Sequence, residues 1–400
     1  MSVPLAVIMT AARLPRSRTK RRRFEPILTS RLWPRTSWGQ SNDVVRELIL
    51  SIDAMGGDAG PAAILAGAAI ARRRHPEVRF LLHGDEGILK PLLERHRALA
   101  KRAEIRHAPG IISRSEKPSQ AVRRGRNSSM WHAVEAVAKQ EANVAVSAGN
   151  TGALMAISML RLGVIEGIQR PAIAVIWPTM RGQSIVLDVG ANAGCDAEQL
   201  VDFAVMGEAF ARAIFGIDRP TVGLLNIGEE EVKGIEPVKR AAQILRASHL
   251  PIEFYGFVEG DGIGAGIVDV VVADGFTGNV ALKTAEGTAK LVGHYLKSAL
   301  KRSVFGRLGA ILAAGPLRVV RKKLDPRSLN GGVFLGLNGV VVKSHGGADA
   351  LGFASAVDLA IDMASSDMIA RISTDRAGLT DVAEDSEDAS GLNPAKAVVS

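Results

Sequence analysis

The sequence of 400 residues contains a single cysteine, Cys195. One thiol excludes an internal disulfide and any zinc site built from several cysteines, so a reducing compartment is expected. Long apolar runs are also missing, since the longest uncharged one late in the chain, residues 308–317, has ten residues. A helix that crosses a bilayer needs about 20. The chain is therefore predicted not to span a membrane.

Two nucleotide-binding signatures are absent as well. No Gly-x-Gly-x-x-Gly motif follows the first predicted strand, and no Gly-x-x-x-x-Gly-Lys-Ser/Thr motif occurs. A dinucleotide or a nucleoside triphosphate is therefore not indicated, and the sequence predicts no cofactor. Cys195 invites interpretation as a thiol nucleophile, but a passive small residue is the favoured interpretation.

The net charge of +9 is concentrated at one end of the chain. Residues 1–40 hold nine basic residues and one acid, which leaves +1 for the remainder. Basicity confined to a terminal segment does not indicate a nucleic-acid-binding surface. Residues 1–46 are predicted to be a disordered basic extension, with a transit peptide or a mis-assigned start as alternatives. Residues 375–400, with six acids among the first fourteen, are predicted to be a disordered tail.

Between these ends, residues 47–374 alternate short runs rich in Val, Ile and Leu with Ala-rich stretches of helical period. Some runs are apolar on both faces, as in strands covered by helices on both sides. The predicted fold is a layered α/β/α domain around a mainly parallel, mixed sheet. A TIM barrel is the rival, but Pro178–Gln183 is too short for a crossover helix, so its flanking strands should be antiparallel. The predicted strands are Leu48–Ala54, Val78–His83, Glu104–Ala108, Asn143–Ser147, Ala172–Trp177, Ser184–Val189, Thr221–Ile227, Ile252–Phe257, Val268–Ala273 and Gly339–Lys343.

Five predicted strands end in glycine-rich junctions with polar side chains. These junctions are Asp53–Asp58, Ser147–Gly152, Asp188–Asn192, Asn226–Gly234 and Asp274–Asn279. One such junction alone is more often a turn that needs a positive φ. Five at the carboxyl ends of strands predict a shared ligand crevice, because those ends face one edge of an open α/β sheet. Three lead into predicted helices whose unpaired first-turn amides suit a phosphate-sized anion.

Six segments resemble the signature segments of one bacterial enzyme family. They are Asp53–Asp58 (DAMGGD), Asn127–Met130 (NSSM), Val146–Met155 (VSAGNTGALM), Leu224–Gly234 (LLNIGEEEVKG), Asp274–Asn279 (DGFTGN) and Lys343–Gly346 (KSHG). The sequence resembles, from about Leu48 to Ile372, the bacterial phosphate acyltransferases of phospholipid synthesis, the PlsX family. The resemblance implies conversion of acyl-acyl carrier protein and inorganic phosphate into acyl phosphate and free carrier protein. It also implies a homodimer, a fold like phosphotransacetylases and the isocitrate and isopropylmalate dehydrogenases, and delivery of acyl phosphate for glycerol-3-phosphate acylation, with a glycerol-3-phosphate acyltransferase as partner.

Under this resemblance phosphate itself attacks the thioester, so no covalent enzyme intermediate is required. Asn150, Thr151 and Asn279 are predicted to donate hydrogen bonds to phosphate or to the oxyanion. Lys233 is predicted to neutralise charge, with simple pairing to its neighbouring acids as the alternative. His345 is predicted to protonate the leaving thiolate, with a structural role at the strand end as the alternative. The other predicted phosphate- or substrate-binding residues are Asp53, Gly56, Gly57, Asp58, Ser147, Gly149, Gly152, Asn192, Asn226, Asp274, Thr277 and Gly278.

Residues 290–327 carry ten basic residues and one acid among regularly spaced apolar side chains. The pattern is typical of basic amphipathic helices, and Gly315-Pro316 is expected to break them into a protruding hairpin. Such a segment is predicted to lie on a membrane surface, with docking of the acidic carrier protein or burial in a dimer or core as alternatives. The resemblance favours a cytoplasmic protein attached peripherally to the inner face of the membrane. The predicted membrane-contact residues are Leu308, Ile311, Leu312 and Leu317.

Two other functions stay open from the sequence. A short-chain phosphotransacetylase would use acyl-coenzyme A, and a non-catalytic scaffold would recruit lipid-synthesis enzymes to the membrane. The glycine-rich crevice argues against a scaffold alone. No metal is predicted, because attack by phosphate needs no metal-activated water, although Asp53 and Asp58 invite a magnesium site.

Overall fold

The structure, a computed structural model, describes residues 47–323 and 330–378. The predictions for residues 1–46, 324–327 and 379–400 lie outside the described residues. The strands are β1 (Ile49–Asp53), β2 (Arg79–Gly84), β3 (Ala103–His107), β4 (Val144–Ser147), β5 (Ala172–Thr179), β6 (Gly182–Leu187), β7 (Thr221–Leu225), β8 (Glu253–Val258), β9 (Val270–Val272), β10 (Gly332–Leu335) and β11 (Val340–Lys343). The helices are α1 (Gly60–Arg74), α2 (Glu86–Glu94), α3 (Arg97–Ala100), α4 (Pro118–Arg124), α5 (Ser129–Ala138), α6 (Thr151–Leu162), α7 (Ala197–Phe215), α8 (Glu236–Ala247), α9 (Gly260–Ala265), α10 (Gly275–Lys301), α11 (Val304–Leu312), α12 (Ala314–Lys323) and α13 (Ala350–Ala364). Residues 368–378 form a last helix, α14.

In the described part of the chain, eleven strands form one open sheet with the order β3-β2-β1-β4-β11-β10-β5-β6-β9-β7-β8. Strands such as β4, β9 and β10 are buried at every residue, because helices cover both faces of the sheet. Helix α5 packs on β1, β2 and β4, α13 packs on β4 and β11, and α7 packs on β6 and β9. The predicted layered α/β fold is thus confirmed, and the barrel is excluded.

All ten predicted strands are present, with bounds that differ from the prediction by a few residues. The two strands beside residues 178–183 form the expected antiparallel pair, β5 and β6. Strand β10 was not predicted, because it is four residues long and begins with a glycine, which is uncommon inside strands. It lies between β11 and β5 and is antiparallel to both.

The strand directions divide the sheet into two halves. Strands β1, β4 and β11 run parallel to one another, and β6, β7 and β9 form a second parallel set. Three antiparallel steps, β11 to β10, β10 to β5 and β5 to β6, separate the two sets, so they run in opposite directions. The prediction that all five polar junctions share one edge is therefore wrong. The loops after β1 and β4 lie at one edge, and those after β6, β7 and β9 lie at the other.

The segment that follows α10 differs from the predicted hairpin. Helix α10 ends at Lys301, α11 spans Val304–Leu312, and α12 begins at Ala314. The last break therefore comes two residues before the predicted one, and Pro316 lies in the first turn of α12. Proline is tolerated there, because first-turn amides have no intrahelical partner. Among the described residues, no helix combines the length and the apolar content needed to cross a bilayer.

Helix α14 extends beyond the predicted start of the acidic tail at residue 375. Asp375 lies 3.7 Å from Arg212, and Arg376 forms an ion pair of 2.7 Å with Asp202. Asp202 is buried on α7, so these contacts tie the helix to the core. Residues 375–378 therefore belong to the folded domain, and the rest of the predicted tail lies outside the described residues.

Candidate active site

Three loops meet where β1, β4 and β11 end. We call them the first loop cluster, which consists of residues 53–58, 147–150 and 343–347. The amide of Asp58 donates to the carbonyl of Gly346 at 2.7 Å. Gly57 has a φ of +86°, and an added Cβ would lie 2.8 Å from the Cβ of Ala148 and 3.1 Å from the carbonyl oxygen of Gly346. Glycine therefore permits this close packing. Of the predicted residues, the cluster contains Asp53, Gly56, Gly57, Asp58, Ser147, Gly149, Asn150 and His345.

Asp53 is the buried carboxylate of the first loop cluster. Its Oδ1 accepts a hydrogen bond from the Ser129 hydroxyl at 2.5 Å, and its Oδ2 accepts one from the Ser147 hydroxyl at 2.6 Å. Burial raises the pKa of Asp53, and the bonds from the two hydroxyls oppose that shift. Asp53 therefore joins the start of α5 to the end of β4, which fixes the walls of the cluster.

Lys343, at the end of β11, brings a partly buried cation into the same cluster. Its Nζ donates to the carbonyl of Ala148 at 3.4 Å and to the carbonyl of Ser344. An ammonium group has three donors, so these two bonds leave one N–H for a ligand. Burial lowers the pKa of Lys343 to about 8, and the charges of Asp53 and Asp58 oppose that shift.

Asn150 caps the N-terminus of α6. Its Oδ1 accepts from the amide of Ala153 at 3.0 Å, and its Nδ2 donates to the carbonyls of Arg114 and Glu116, each at 2.9 Å. The structure thus uses this side chain to hold a neighbouring loop. Two predicted residues, Thr151 and Gly152, lie in the first turn of α6, where amides have no intrahelical acceptor. These amides are the donors that suit an anion.

His345 lies two residues beyond Lys343. Its Nδ1 accepts from the amide of Gly347 at 3.1 Å, so the neutral ring carries its proton on Nε2. Burial lowers the pKa of His345, and the charge of Lys283 lowers it further. Lys283 also lowers the pKa of Lys343. Lys283 belongs to α10, which starts at the opposite edge of the sheet. Because Lys283 acts on both residues, α10 extends towards the first loop cluster.

A second loop cluster lies at the carboxyl ends of β6, β7 and β9. It consists of residues 188–192, 226–234 and 274–279. The carboxylate of Asp188, fully buried, accepts hydrogen bonds from four backbone amides and from the side-chain amide of Asn192. Burial raises the pKa of Asp188, and these bonds oppose that shift. The Nδ2 of Asn192 also donates to the carbonyl of Pro171 at 2.9 Å, so both side chains hold the loop backbone.

Helix α10 begins on this loop. The carboxylate of Asp274 accepts from the amide of Thr277 at 3.0 Å and from its hydroxyl at 2.6 Å, which caps the helix. Gly278 packs on the backbone of Asp188, where an added Cβ would overlap the carbonyl oxygen. These three predicted residues therefore position α10. Asn279 lies beside Gly190, and within the described residues its side chain has no hydrogen-bond partner, so it is available to a ligand.

Asn226 braces the loop after β7, because its Nδ2 donates to the carbonyls of Gly228 at 3.1 Å and Lys233 at 3.2 Å. The side chain of Lys233 is half exposed, with Nζ 3.9 Å from Glu230. Strand directions place Lys233 in the second loop cluster, whereas Lys343 is in the first. The role of Lys233 in neutralising charge stays a prediction.

The structure also bears on two other chemistries. Burial, with a smaller effect from Asp188, raises the pKa of the Cys195 thiol to about 12, so the sulfur is protonated at neutral pH. A protonated thiol is a poor nucleophile. Throughout residues 47–323 and 330–378, no group of three or more His, Cys, Asp or Glu side chains comes together in an arrangement suited to a metal ion.

Three functional candidates were missed by the sequence pattern: Lys343, Ser129 and Arg114. The first two lie inside segments that carry the family resemblance, but their side chains were assigned no role. Arg114 forms an ion pair of 2.6 Å with Asp58 and belongs to no such segment. A buried carboxylate, a partly buried lysine and a helix N-terminus at the ends of parallel strands define an α/β enzyme that binds a small anionic substrate.

Comparisons with known proteins agree with this class. The family described as "Fatty acid synthesis protein" matches residues 48–371. The phosphate acyltransferase of Parvibaculum lavamentivorans is 58% identical over 333 residues, which cover 83% of this chain and 92% of that protein. The phosphate acyltransferase of Xanthobacter autotrophicus is 57% identical over 324 residues, which cover 81% of this chain and 91% of that protein. The chain therefore belongs to the fatty acid synthesis protein family, as a member of its phosphate acyltransferases, and is an acyltransferase enzyme.

Solved structures show a related fold. A phosphotransacetylase from Streptococcus pyogenes matches with a TM-score of 0.55 and 16% identity, over 80% of this chain and 95% of that one. A phosphotransacetylase from Staphylococcus aureus matches with a TM-score of 0.51 and 16% identity, over 80% of this chain and 94% of that one. The predicted likeness to the phosphotransacetylase fold is confirmed. At this level of identity the comparison concerns the fold alone.

Proposed function

We propose that the protein transfers the acyl group of long-chain acyl-acyl carrier protein to inorganic phosphate in bacterial phospholipid synthesis. A phosphate oxygen bonds to the thioester carbonyl carbon, the C–S bond breaks, and the carrier thiolate leaves and takes up a proton. The products are acyl phosphate and free carrier protein. The observation that carries this proposal is the first loop cluster, where Lys343 and the first-turn amides of α6 suit a phosphate. The names of the relatives, phosphate acyltransferases, support the same acceptor.

Lys343 is the residue we assign to the phosphate dianion. Its ammonium group is also the best source for the proton that the thiolate needs, because its pKa of about 8 is close to that of a thiol, about 8.5. His345 has a lowered pKa and is largely neutral at pH 7. A neutral imidazole donates a hydrogen bond through Nε2–H, so His345 suits the developing oxyanion better than it suits proton transfer. Asn279 is proposed as a further donor.

The enzyme is proposed to act as a homodimer on the inner face of the cytoplasmic membrane. A long-chain acyl phosphate is reactive and carries an apolar chain, so the enzyme that consumes it should be close by. The proposed consumer is a glycerol-3-phosphate acyltransferase. These assignments rest on the family resemblance and on the exposed surface of α11.

Helix α11 exposes three of the four apolar side chains that were predicted to contact a membrane. None of the residues of this fully described helix is buried, and Phe305, Ile311 and Leu312 are 86%, 71% and 79% exposed. Leu308 is exposed as well, and Leu317 on α12 is partly buried. An apolar face in water is unfavourable, and nearby cations suit anionic headgroups. We therefore assign this face to the lipid surface.

The variant Leu308→Glu/Ile311→Glu/Leu312→Glu is expected to lose binding to phosphatidylglycerol vesicles, because it places three carboxylates on the apolar face. Turnover of soluble substrate should be unchanged. The measurement is vesicle flotation beside a turnover assay without lipid. The matched control is Ile88→Glu/Leu160→Glu/Met180→Glu, which makes the same charge change at exposed apolar positions elsewhere. Vesicle binding that survives in the α11 variant would refute the membrane assignment.

The reaction itself is tested by incubating the purified protein with long-chain acyl-acyl carrier protein, with and without inorganic phosphate. Hydroxylamine traps acyl phosphate as the hydroxamate. Product that depends on phosphate is the expected result. Product from short acyl-coenzyme A alone would indicate a phosphotransacetylase. No product from a folded sample that binds the carrier protein would indicate a scaffold.

A further inference from the structure

The segment that precedes and forms α4 carries an unusual excess of positive charge. Residues 113–127 contain five basic residues and one acid, Glu116. All five basic side chains are exposed, and within the described residues only Arg114 has an ion-pair partner, Asp58. We call these five residues the α4 patch: Arg114, Lys117, Arg123, Arg124 and Arg126.

The stability of α4 does not account for this charge. Arg123 and Arg124 lie in its last turn, where cations interact favourably with the helix dipole. Lys117 is the N-cap residue, where a cation opposes the dipole, and it caps nothing through its side chain. Four unpaired cations close together also repel one another. A requirement outside the folded chain, namely an anionic partner, explains the charge.

The α4 patch is attached firmly to the rim of the first loop cluster. The Nδ2 of Asn150 holds the carbonyls of Arg114 and Glu116, and the Arg114 guanidinium pairs with Asp58 at 2.6 Å. Gly152, in the first turn of α6, packs closely on Pro118, the first residue of α4. Beyond residue 127, the chain enters α5 at Ser129, whose hydroxyl donates to Asp53. A partner seated on the patch is therefore next to the proposed site of acyl transfer.

We propose that the α4 patch docks the acidic face of the acyl carrier protein and so presents the thioester to the first loop cluster. This inference rests on the proposed function. Residues 113–127, which carry the patch, contain no large exposed apolar side chain, whereas α11 exposes Phe305, Ile311 and Leu312. A charged, polar surface suits a charged protein, and an apolar face bordered by cations suits lipid. Carrier protein and membrane therefore use separate surfaces.

The test is the double variant Arg123→Glu/Arg124→Glu, assayed without lipid. We expect its KM for acyl-acyl carrier protein to rise about tenfold or more, because reversed charge repels an acidic partner. Raising the salt concentration should weaken the wild type towards the variant, since ions screen exposed charges over about 10 Å. The turnover number and the turnover of a neutral acyl-pantetheine thioester should be unchanged. The milder variant Arg123→Ser/Arg124→Ser should give an intermediate KM.

The matched control is Arg95→Glu/Arg97→Glu. Both arginines are exposed and lie between β2 and β3 near the start of β3, which is the amino-terminal edge of the parallel set. This control should leave the KM for acyl-acyl carrier protein unchanged. An unchanged KM in the α4 variants, or an equal loss with acyl-pantetheine, would overturn the docking assignment. Wild-type protein that forms no acyl phosphate from either thioester would instead refute the proposed function, and the docking assignment with it.

Discussion

The variant Lys343→Met is expected to lower kcat/KM for phosphate by about 100-fold or more, the usual effect of losing a preorganised charge or donor at a reaction centre. Methionine has nearly the same length, but it offers no positive charge beside Asp53 and no N–H for phosphate. The protein should still fold, because the deleted hydrogen bonds are two contacts to backbone carbonyls at the edge of a loop. The measurement is the phosphate dependence of hydroxamate formation at pH 7.

The pH profile of kcat/KM for phosphate distinguishes an effect of the Lys343 charge from an effect of its packing. Because burial lowers the pKa of Lys343 to about 8, the ammonium form is lost as the pH rises through 8. Wild-type kcat/KM for phosphate should therefore fall on the alkaline side of about pH 8. In Lys343→Arg the guanidinium stays charged over this range, so the alkaline decrease in kcat/KM for phosphate should move upward or disappear, although kcat should fall because a guanidinium does not supply the proton that the thiolate needs. Lys239→Met, which removes a partly exposed lysine on α8 that pairs with Glu236, is the control and should keep the wild-type profile. Retention of wild-type activity by Lys343→Met would remove the residue from the mechanism.

The positions of the strands could be predicted from the sequence, because buried parallel strands are short runs of Val, Ile and Leu between helical stretches. The direction of the strands in one half of the sheet could not be predicted. Direction depends on the number of antiparallel steps, and two of the three steps involve β10, which has four residues and starts at Gly332. Hydrophobic pattern carries no information on strand direction, so the five junctions were expected at one edge and are found at two.

The site was predictable where a motif implies a fixed local geometry. Asn150 before α6 and Asp274 before α10 both occupy N-cap positions, which their residue types favour. What their side chains do was not predictable, because Asn150 bonds to a loop 34 residues or more away in sequence. Lys343 was missed for a similar reason. The last residue of an apolar strand usually extends into solvent, and only the packing of the loops around Ala148 partly buries Lys343.

The two loop clusters are connected by α10. The helix is anchored by Asp274 and Gly278 in the second cluster, and its Lys283 acts electrostatically on Lys343 and His345 in the first. A displacement of the start of α10 would therefore change both clusters. This makes the contact between Gly278 and the Asp188 loop important for the protein as a whole.

The variant Gly278→Ala is expected to destabilise the protein by about 3 kcal/mol or more, which is a large effect for one methyl group. The added Cβ would overlap the carbonyl oxygen of Asp188, and a backbone atom cannot rotate away as a side chain can. The Asp188 loop cannot retreat easily, because the carboxylate of Asp188 is already bonded to four backbone amides. Thermal unfolding followed by circular dichroism should show a melting temperature lowered by roughly 5 °C or more.

Gly287→Ala is the matched control in the same helix. Gly287 is exposed, and an added Cβ there has no neighbour within 4 Å. Since alanine favours a helix interior over glycine by about 1 kcal/mol, this variant should melt at or slightly above the wild-type temperature. Opposite shifts in the two variants would show that the contact at Gly278, and not helix propensity, decides the outcome. If Gly278→Ala melts with the wild type, then α10 does not pack on the Asp188 loop as described, and the link between the two loop clusters fails.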